Sequence, residues 1–365
     1  MMFVISTRSF PPETGGMQNL MGGLANALLN HGPVKVFADK FEGSDVYDQS
    51  LKLEIERFGG IKLLRKYRKA NRLNDFIKSN QNIRSIFFDH WKSLEKINDK
   101  VIEKVPTFCL IHSKEINHPL GSSLNKRVIN SFKKTKFIIA NSNFTKKLGI
   151  EIGLPKEKIY VIHPGCEEPI KIEKEYELKA DKIYQDSFPK IITVARLDRR
   201  KNHQNILMCI RNLKEIFPKI KYVSVGDGDE RNNLIKLVKE LKIDNEVTLL
   251  STIDGKLKNA LLKKSNLFLM PSILHKKSIE GFGISFIEAA CYGVGSIGGK
   301  IGGASDAIKE NSTGLICDGN NIESIYENII KFFKNDDYIK YGNNAEKFSE
   351  NFYWKIIIKK YLKLN

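Results

Sequence analysis

Residues 277–306, KSIEGFGISFIEAACYGVGSIGGKIGGASD, predict a loop, a buried helix and a second glycine-rich loop. Glu280 stands directly before the turn Gly281, Phe282 and Gly283. The missing glycine side chains let a backbone turn sharply and approach a ligand closely. The second loop, expected to wrap another side of the same ligand, contains Gly298, Gly299, Gly302 and Gly303.

The helix predicted after the first turn is apolar from residue 284 to residue 292 except at Ser285 and Glu288. This pattern is typical of a helix packed on most sides. Free N–H groups at its start, near Gly283 and Ile284, form a candidate phosphate site. Glu288 is a carboxylate on an otherwise buried helix, and such a group needs a partner. Taken alone, two glutamates eight residues apart also occur by chance, and a glycine-rich helix start also serves packing.

Length and composition indicate two domains, because 365 residues with 41% hydrophobic content can bury two cores of ordinary size. No apolar run approaches the roughly 18 residues of a membrane span. The start, MMFVISTRSFPP, fits a buried first strand better than a signal peptide. Five scattered cysteines without a C-x-x-C pair indicate reduced thiols, so we expect a soluble cytoplasmic protein.

The net charge of +18 has three candidate meanings: a nucleic acid partner, an anionic membrane surface, or a general bias of composition. The densest basic run, from Arg57 to Arg72, holds seven Lys or Arg residues and no acid. Leu63, Tyr67 and Leu73 fall at helical spacing within it. An amphipathic basic helix on anionic lipid is one interpretation, and a solvated helix face is the other. No nucleic-acid module or aromatic platform is recognisable, so no nucleic acid partner is expected.

The first half of the chain alternates predicted strands and helices. A strand at residues 2–6, a turn with Gly15 and Gly16, a helix at 17–30 and a strand at 34–37 make one doubly wound unit. Ligands bind at the carboxyl edge of such a unit, where this turn lies, although a plain tight turn is the alternative. A further strand at 107–111 ends at His112, which is a site candidate for the same reason.

The second half repeats the pattern. A strand at 190–195 runs into the basic turn RLDRRKN at 196–202. Such a turn clamps phosphate oxygens, Arg as a fork and Lys as a point charge, although an ordinary solvated loop has the same composition. A strand at 221–225 precedes Gly226 and Gly228, and a strand at 247–250 precedes Thr252 and Ile253.

Several of these segments together resemble one family. The block from Glu280 through Glu288 to the G-G-x-x-D loop resembles the nucleotide-sugar site of the retaining GT-B glycosyltransferases of family 4, group 1. This family contains the phosphatidylinositol mannosyltransferases and sucrose synthases. PP-x-x-GG at the first turn, V-x-R-L-x-x-x-K after residue 193, V-G-D-G-x-E after residue 224 and H-x-x-E at 112–115 are similar as well. The resemblance covers almost the whole chain and is strongest from 190 to 316.

The resemblance implies a GT-B architecture, with two doubly wound (Rossmann-like) β/α domains facing each other across a cleft. An acceptor-binding domain at 1–168, a linker at 169–188, a nucleotide-sugar domain at 189–345 and a C-terminal helix at 346–365 that crosses back are expected. It implies a retaining, metal-independent hexosyltransferase that uses a UDP-sugar or GDP-sugar and needs no cofactor. The acceptor is expected to be a lipid-linked oligosaccharide or a cell-surface glycan precursor, with the protein peripheral at the inner face of the membrane.

The resemblance also implies roles. Arg196 and Lys201, rather than Arg199 or Arg200, are matched to the diphosphate, Glu280 to the sugar hydroxyls and Glu288 to the ribose hydroxyls. His112 is matched to the transferred sugar, although the loose alignment leaves Lys114 as an alternative. Other expected donor contacts are Gly15, Gly16, Gly226, Gly228, Thr252, Ile253, Gly281, Phe282, Gly283 and Ile284.

Other function classes fit less well. A nucleotide-sugar epimerase lacks its signatures here, and a glycosyl phosphorylase needs a pyridoxal-phosphate lysine that has no obvious position. A non-catalytic sugar-nucleotide-binding subunit of a heteromeric transferase stays open, because H-S-K-E at 112–115 diverges from the family pattern.

Overall fold

The computed structural model describes residues 1–364 and divides the chain into two compact units. Unit 1 comprises Met1–Glu167 together with the last residues from Phe352, and unit 2 comprises Glu168–Asn351. Among the described residues, no helix is both long and apolar enough to cross a membrane.

Within residues 1–364, thirteen strands form the two sheets. Those of unit 1 are β1 Met2–Thr7, β2 Val34–Asp39, β3 Glu54–Phe58, β4 Ile83–Phe88, β5 Thr107–Ile111, β6 Phe137–Ala140 and β7 Ile159–Val161. Those of unit 2 are β8 Lys190–Val194, β9 Lys221–Val225, β10 Val247–Leu250, β11 Leu267–Met270, β12 Ser296–Gly299 and β13 Gly314–Cys317.

Helices connect the strands and flank both sheets. They are α1 Gly16–Leu29, α2 Ser44–Gln49, α3 Lys62–Ser79, α4 Trp91–Leu94, α5 Asp99–Ile102, α6 Ser123–Lys133, α7 Asn143–Glu151, α8 Lys174–Tyr184, α9 His203–Leu213, α10 Arg231–Glu240, α11 Gly255–Lys264, α12 Ile284–Ala290, α13 Ala304–Ala307, α14 Ile322–Phe333, α15 Asp337–Ser349 and α16 Trp354–Lys363.

Both sheets are parallel throughout and doubly wound. Unit 1 has the order β3-β2-β1-β4-β5-β6-β7, and unit 2 has the order β10-β9-β8-β11-β12-β13. The predicted fold class, two Rossmann-like β/α units, is confirmed. In each sheet the strand order reverses once, between β1 and β4 and between β8 and β11, and ligands of such sheets bind outside the carboxyl ends at that point.

The core of unit 1 includes a stack of phenylalanines from adjacent strands. The rings of Phe87 and Phe108, and those of Phe108 and Phe137, have centroids 4.7 Å apart. Helix α16 covers the same face as α1, and its Trp354 lies directly against Gly23, where a side chain on residue 23 would overlap the indole. The apolar residues of α16 thus belong to the core of unit 1.

The segment 169–188, which was expected to be a linker, belongs to unit 2, because that unit begins at Glu168. Helix α8 lies within that segment and packs against α11. Ion pairs join the two helices, including Lys263–Glu177 at 3.1 Å and Lys264–Asp181 at 2.9 Å. The segment is rich in charged residues because α8 exposes charged side chains to solvent and forms ion pairs with α11.

Three elements differ from the sequence-based expectations. Gly298 and Gly299, expected in a loop, lie in the buried strand β12, where glycine permits close approach to the Ser272 backbone. Within the described residues, the C-terminal helix expected at 346–365 is interrupted between Ser349 and Trp354. Strand β3 was not predicted, because its sequence EIERF at the sheet edge is only partly buried.

Candidate functional site

The turn after β8 is built by local capping. The Asp198 side chain accepts a hydrogen bond from the Lys201 N–H (3.2 Å) and starts a single 3₁₀ turn at Arg199–Lys201. Asn202 then adopts a left-handed φ of 63°, and its side-chain amide donates to the Pro271 carbonyl (3.1 Å) after β11. These bonds tie the ends of β8 and β11 together at the point where the strand order reverses.

The side chains at this point form a charged cluster of Arg200, Lys201 and Glu280. The Arg200 guanidinium donates from Nη1 to Glu280 Oε2 at 2.6 Å, and the Lys201 ammonium pairs with the same oxygen. Lys201 Nζ also lies 3.2 Å from the sulfur of Met270. The side chains are only 17%, 10% and 12% exposed, respectively, so the ions are largely removed from water.

The electrostatics of the cluster favour an ionised carboxylate. Burial by itself raises the pKa of Glu280, but the charges of Lys201 and Arg200 and their hydrogen bonds outweigh it and lower that pKa to about 2. Glu280 is therefore a fixed negative charge at any physiological pH.

The second glycine-rich loop passes directly beside Glu280. The Gly303 N–H donates to the Glu280 carbonyl at 2.9 Å, and Gly302 has a left-handed φ of 111°. A Cβ on residue 302 would overlap the Glu280 carbonyl oxygen. Gly302 is therefore needed for this close approach.

The turn after Glu280 serves both packing and helix initiation. Phe282 is 1% exposed and belongs to the core, and Gly281 is buried as well. Gly283 has a left-handed φ of 84° and precedes α12, which begins at half-buried Ile284. Helix α12 ends at Ala290, two residues before the predicted end.

Glu288 on α12 pairs with a lysine of α11. The distance from Lys258 Nζ to Glu288 Oε1 is 2.9 Å, and both side chains are about one quarter exposed (23% and 24%). Exposed Thr252 and half-buried Ile253 lie in the loop that leads into α11. The carboxylate of Glu288 thus has the partner that its position on a buried helix requires.

Gly226 and Gly228 fit the turn after β9 against the turn after β8. A Cβ on residue 226 would overlap the Ala195 carbonyl oxygen, and one on residue 228 would lie 2.5 Å from the Leu197 carbonyl oxygen. The Leu197 N–H donates to the Asp227 carbonyl at 3.0 Å. The two glycines therefore allow the turn after β9 to pack closely against the backbone of the basic turn.

A series of buried, hydrogen-bonded side chains lies next to the turn after β8. His203 Nδ1 is 3.0 Å from the Tyr222 hydroxyl, which donates to Thr193 Oγ1 at 3.0 Å. Burial lowers the pKa of His203 to about 4, although a hydrogen bond with the Arg196 backbone opposes the shift. The neutral ring joins the first residue of α9 to β8 and β9.

In unit 1, His112 follows β5 as predicted. Its Nε2 donates to the Asp89 carbonyl oxygen at 3.1 Å, and its backbone N–H donates to Glu115 Oε1 at 2.6 Å. The H-x-x-E spacing therefore closes a local turn. Lys114, the alternative to His112, is exposed, as are Gly15 and Gly16.

Asp89, which the sequence analysis did not single out, organises the carboxyl edge of unit 1. Its buried carboxylate accepts from the Arg8 N–H (2.8 Å), the Thr7 hydroxyl (3.0 Å) and the Ser93 hydroxyl (2.6 Å). Neighbouring His90 is held neutral, because burial and then the nearby Arg8 charge lower its pKa to about 2. The signal in the sequence was an acid directly after the apolar run of residues 86–88.

Comparisons with known proteins identify the two units. Residues 14–168 match the sequence model of the family described as Glycosyltransferase Family 4, and residues 176–353 match that described as Glycosyl transferases group 1. The chain belongs to the group 1 glycosyltransferases.

Relatives of this glycosyltransferase support the assignment. An uncharacterised glycosyltransferase of Methanocaldococcus jannaschii is 29% identical over 64% of this chain, and the match spans 59% of that protein. The GDP-mannose-dependent alpha-(1-6)-phosphatidylinositol monomannoside mannosyltransferase of Mycobacterium tuberculosis is 21% identical, with 92% of this chain and 89% of that protein covered.

Solved structures share the GT-B fold with this glycosyltransferase. The Anabaena protein HepE in complex with UDP superimposes with a TM-score of 0.82 at 16% identity over 100% of this chain and 99% of that chain. A glycosyltransferase from Rickettsia africae gives a TM-score of 0.80 at 19% identity, with 99% and 97% coverage.

The glycosyltransferase brings together some, but not all, of the expected donor-site residues. Lys201 and Glu280 meet, and Arg200 joins them although it was set aside in favour of Arg196. The Arg196 side chain is exposed and has no hydrogen bond or ion pair within residues 1–364. The described residues contain no group of three or more His, Cys, Asp and Glu side chains placed to hold a metal ion.

Proposed function

We propose that this glycosyltransferase moves a hexosyl group from a nucleoside-diphosphate sugar to an acceptor, with retention of anomeric configuration and without a metal ion. The observation that carries the proposal is the cluster of Lys201, Arg200 and Glu280 outside β8 and β11. It places a cation for a diphosphate, Lys201, beside a carboxylate for hydroxyl groups, Glu280.

The chemistry of transfer gives these groups their roles. As the bond from the anomeric carbon to phosphate breaks, negative charge grows on the diphosphate and positive charge on the sugar ring. Lys201, Arg196 and the N–H groups at Gly283 and Ile284 oppose the first in a preorganised site. The acceptor oxygen bonds to the anomeric carbon on the same face, and its proton passes to the departing diphosphate.

The carboxylates and His112 hold the sugar and the nucleoside. Glu280, ionised and fixed, accepts hydrogen bonds from sugar hydroxyls. Glu288 accepts from the ribose hydroxyls and exchanges its contact with Lys258 for them. His112, at the carboxyl end of β5, contacts the transferred sugar.

Two related proteins support the expected UDP-sugar or GDP-sugar donor. The Anabaena protein has been solved with UDP and with UDP-glucose, and the mycobacterial relative depends on GDP-mannose. We therefore propose a UDP-sugar or a GDP-sugar as donor.

Thermal stabilisation by nucleoside diphosphates and their sugars tests the donor site. A ligand that binds only the folded protein raises the melting temperature in proportion to ln(1 + [L]/Kd). We expect one base to give a selective shift in the wild type and a much smaller one in Glu288→Ala. Asp337→Ala, on α15 outside the site, is the control and should respond like the wild type. No shift with any nucleotide would contradict the proposal.

Product analysis separates the enzyme from a non-catalytic subunit. Slow hydrolysis of the stabilising donor, with the released sugar initially in the donor's anomeric configuration, is expected of a retaining transferase. Binding without turnover in the presence of acceptor extracts would favour the non-catalytic subunit, and an inverted product would contradict retention.

The proposed acceptor is a lipid-linked oligosaccharide or cell-surface glycan precursor, reached by docking on an anionic membrane from the cytoplasmic side. The exposed start of α3 supports docking. Ile61, Leu63, Leu64 and Tyr67 are 69%, 71%, 57% and 46% exposed. We call these four residues the α3 patch.

Basic side chains border the α3 patch, but they are not all those expected from the sequence. Lys66 and Lys96 lie 5.1 and 5.2 Å from the Tyr67 ring. Other members of the basic run pair with acids: Arg57 with Asp48, Arg65 and Lys69 with Asp39, and Arg72 with Glu56. Arg57 lies in β3 and not in the helix. The lysines near the patch, rather than the whole run, carry the proposed lipid contact.

A further inference from the structure

The cluster of Arg200, Lys201 and Glu280 contains two cations and one carboxylate. The neighbouring Asp198 has a carboxylate oxygen 3.9 Å from Arg200 Nη2 and a side chain that is 30% exposed, so it is a longer and more solvated partner than Glu280. The three central side chains are each less than one fifth exposed. Among these three side chains one positive charge is in excess, and their burial leaves it poorly screened by water, an arrangement that favours an incoming anion.

The two cations differ in what else they contact. The Lys201 ammonium has three donors, and within residues 1–364 its hydrogen-bond partners are Glu280 and the Met270 thioether, which is a weak acceptor. Arg200 donates to Glu280 and is also attracted by Asp198. Lys201 thus retains donor capacity, whereas the charge of Arg200 is directed to carboxylates.

We propose that Arg200 is a positioning residue: it neutralises Glu280 so that the charge of Lys201 stays available to the diphosphate of the donor. The inference rests on the proposed function and assigns a task to a residue that the spacing of the basic turn did not select. Without Arg200, Glu280 would neutralise Lys201, and the cluster would no longer attract an anion.

The groups that act on Glu280 are few. Lys201 and Arg200 come from the turn after β8, whereas the neighbouring loop contributes backbone at Gly302 and Gly303. Arg199 offers a matched control, because it is 65% exposed and pairs with Glu230 at 3.2 Å. Arg199 and Arg200 thus have the same side chain but different surroundings.

The experiment measures the dissociation constants of UDP and GDP by calorimetry at one fixed, low ionic strength. Neither probe carries the transferred hexosyl group, so direct contacts of Glu280 with that group do not affect the measurement. Arg200→Met should bind the preferred nucleotide about tenfold or more weakly, the size of one charge-assisted hydrogen bond. Arg199→Met should bind as the wild type does, and Arg200→Lys should keep most of the affinity.

The double variant Arg200→Met/Glu280→Gln decides the mechanism. It removes one positive and one negative charge, restores the excess of the wild type and should recover wild-type affinity. Glu280→Gln alone should bind at least as tightly as the wild type. A merely structural defect at residue 200 would not be reversed by a change at residue 280.

Three results would overturn the inference. Wild-type affinity in Arg200→Met would leave Arg200 without a role. A double variant as weak as Arg200→Met would mean that Arg200 contacts the diphosphate itself. If Arg200→Met does not fold, the double variant is compared directly with the wild type. Wild-type nucleotide affinity in the double variant then supports the inference, and a loss of affinity contradicts it. Failure of the wild type to bind either nucleotide would instead contradict the proposed function, and with it this inference.

Discussion

Glu280 illustrates how a buried carboxylate is kept charged. Its side chain is 12% exposed, which by itself favours the neutral acid. The Arg200 and Lys201 charges reverse that preference, and the backbone carbonyl of Glu280 is fixed by Gly303. The charge and the position of the carboxylate are thus set by separate contacts before any ligand arrives.

The low pKa of Glu280 makes a prediction about stability and pH. Its folded pKa of about 2 lies below the value of roughly 4.3 for an unfolded glutamate. The group therefore contributes stability above about pH 4, and this contribution is lost as the pH falls through 2. Glu280→Gln resembles the protonated residue, so it should be less stable at pH 7 by up to about 3 kcal/mol, and the difference should vanish near pH 2.

Urea unfolding of the two proteins at pH 7, 4 and 2.5 measures this difference. Contributions from other acids are common to both proteins and cancel. Glu230→Gln, which removes the partner of exposed Arg199, is the control and should change stability by less than about 1 kcal/mol. A difference between the wild type and Glu280→Gln that stays constant with pH would contradict the assigned electrostatics.

The basic turn shows which residue-level features a sequence reveals. The resemblance of V-x-R-L-x-x-x-K and of the block that begins at Glu280 matched Lys201 and Glu280 to the donor site, and the structure places them in contact. It did not predict Arg200, because R-R-K at 199–201 offers three cations, and the 3₁₀ geometry decides which of them turns inward. Asp198 sets that geometry by capping, a contact between neighbours that composition alone does not specify.

At the scale of elements, the turns after β8 and β9 depend on each other. Gly226→Ala would place a Cβ against the Ala195 carbonyl oxygen in a backbone conformation with φ 147°. We expect it to lower the free energy of unfolding by about 2 kcal/mol or more. It should also weaken nucleotide binding, because the Arg196–Lys201 turn must move away.

Gly255→Ala is the matched control for this change. Gly255 begins α11, and no atom lies within 4 Å of its added Cβ, so alanine should be neutral or slightly stabilising. Denaturant unfolding and nucleotide titration of both variants measure the effects. Equal behaviour of the two glycine variants would show that the turn after β9 has room to adjust.

Elements whose own sequence is a clear apolar run were predictable. Elements whose residues are explained only by contacts with other segments were not. The strands at 107–111, 221–225 and 247–250 have the predicted bounds because they are short, largely apolar runs that end at polar or glycine residues. Strand β12 was missed because its sequence SIGG resembles a loop. Those glycines are explained only by the Ser272 backbone and the Phe286 and Ile308 side chains packed against them.

At the scale of the whole molecule, the net charge of +18 can attract an anionic surface only through those basic side chains that are not paired with a nearby acid. Asp39 pairs with both Arg65 and Lys69, so this part of the basic run is internally compensated. A long-range attraction to any anionic surface would come from the remaining charges together, whereas insertion needs apolar side chains. Charge and apolar exposure coincide at the α3 patch.

Vesicle binding distinguishes docking through the α3 patch from attraction by total charge. The protein should sediment with phosphatidylglycerol-containing vesicles at low salt, and less so as ionic strength rises, because the Debye length falls to about 3 Å at 1 M. Leu63→Ser/Leu64→Ser should weaken binding by about tenfold or more, since two inserted leucines are lost while the charge is unchanged. Leu178→Ser, at a 50% exposed leucine of α8, should have no effect.

If the double variant bound as the wild type does, the net charge alone would hold the protein on lipid, and the patch would have another role. Weakening confined to the double variant would instead show that apolar insertion fixes where on the protein the membrane is met, while the surrounding lysines favour an anionic surface.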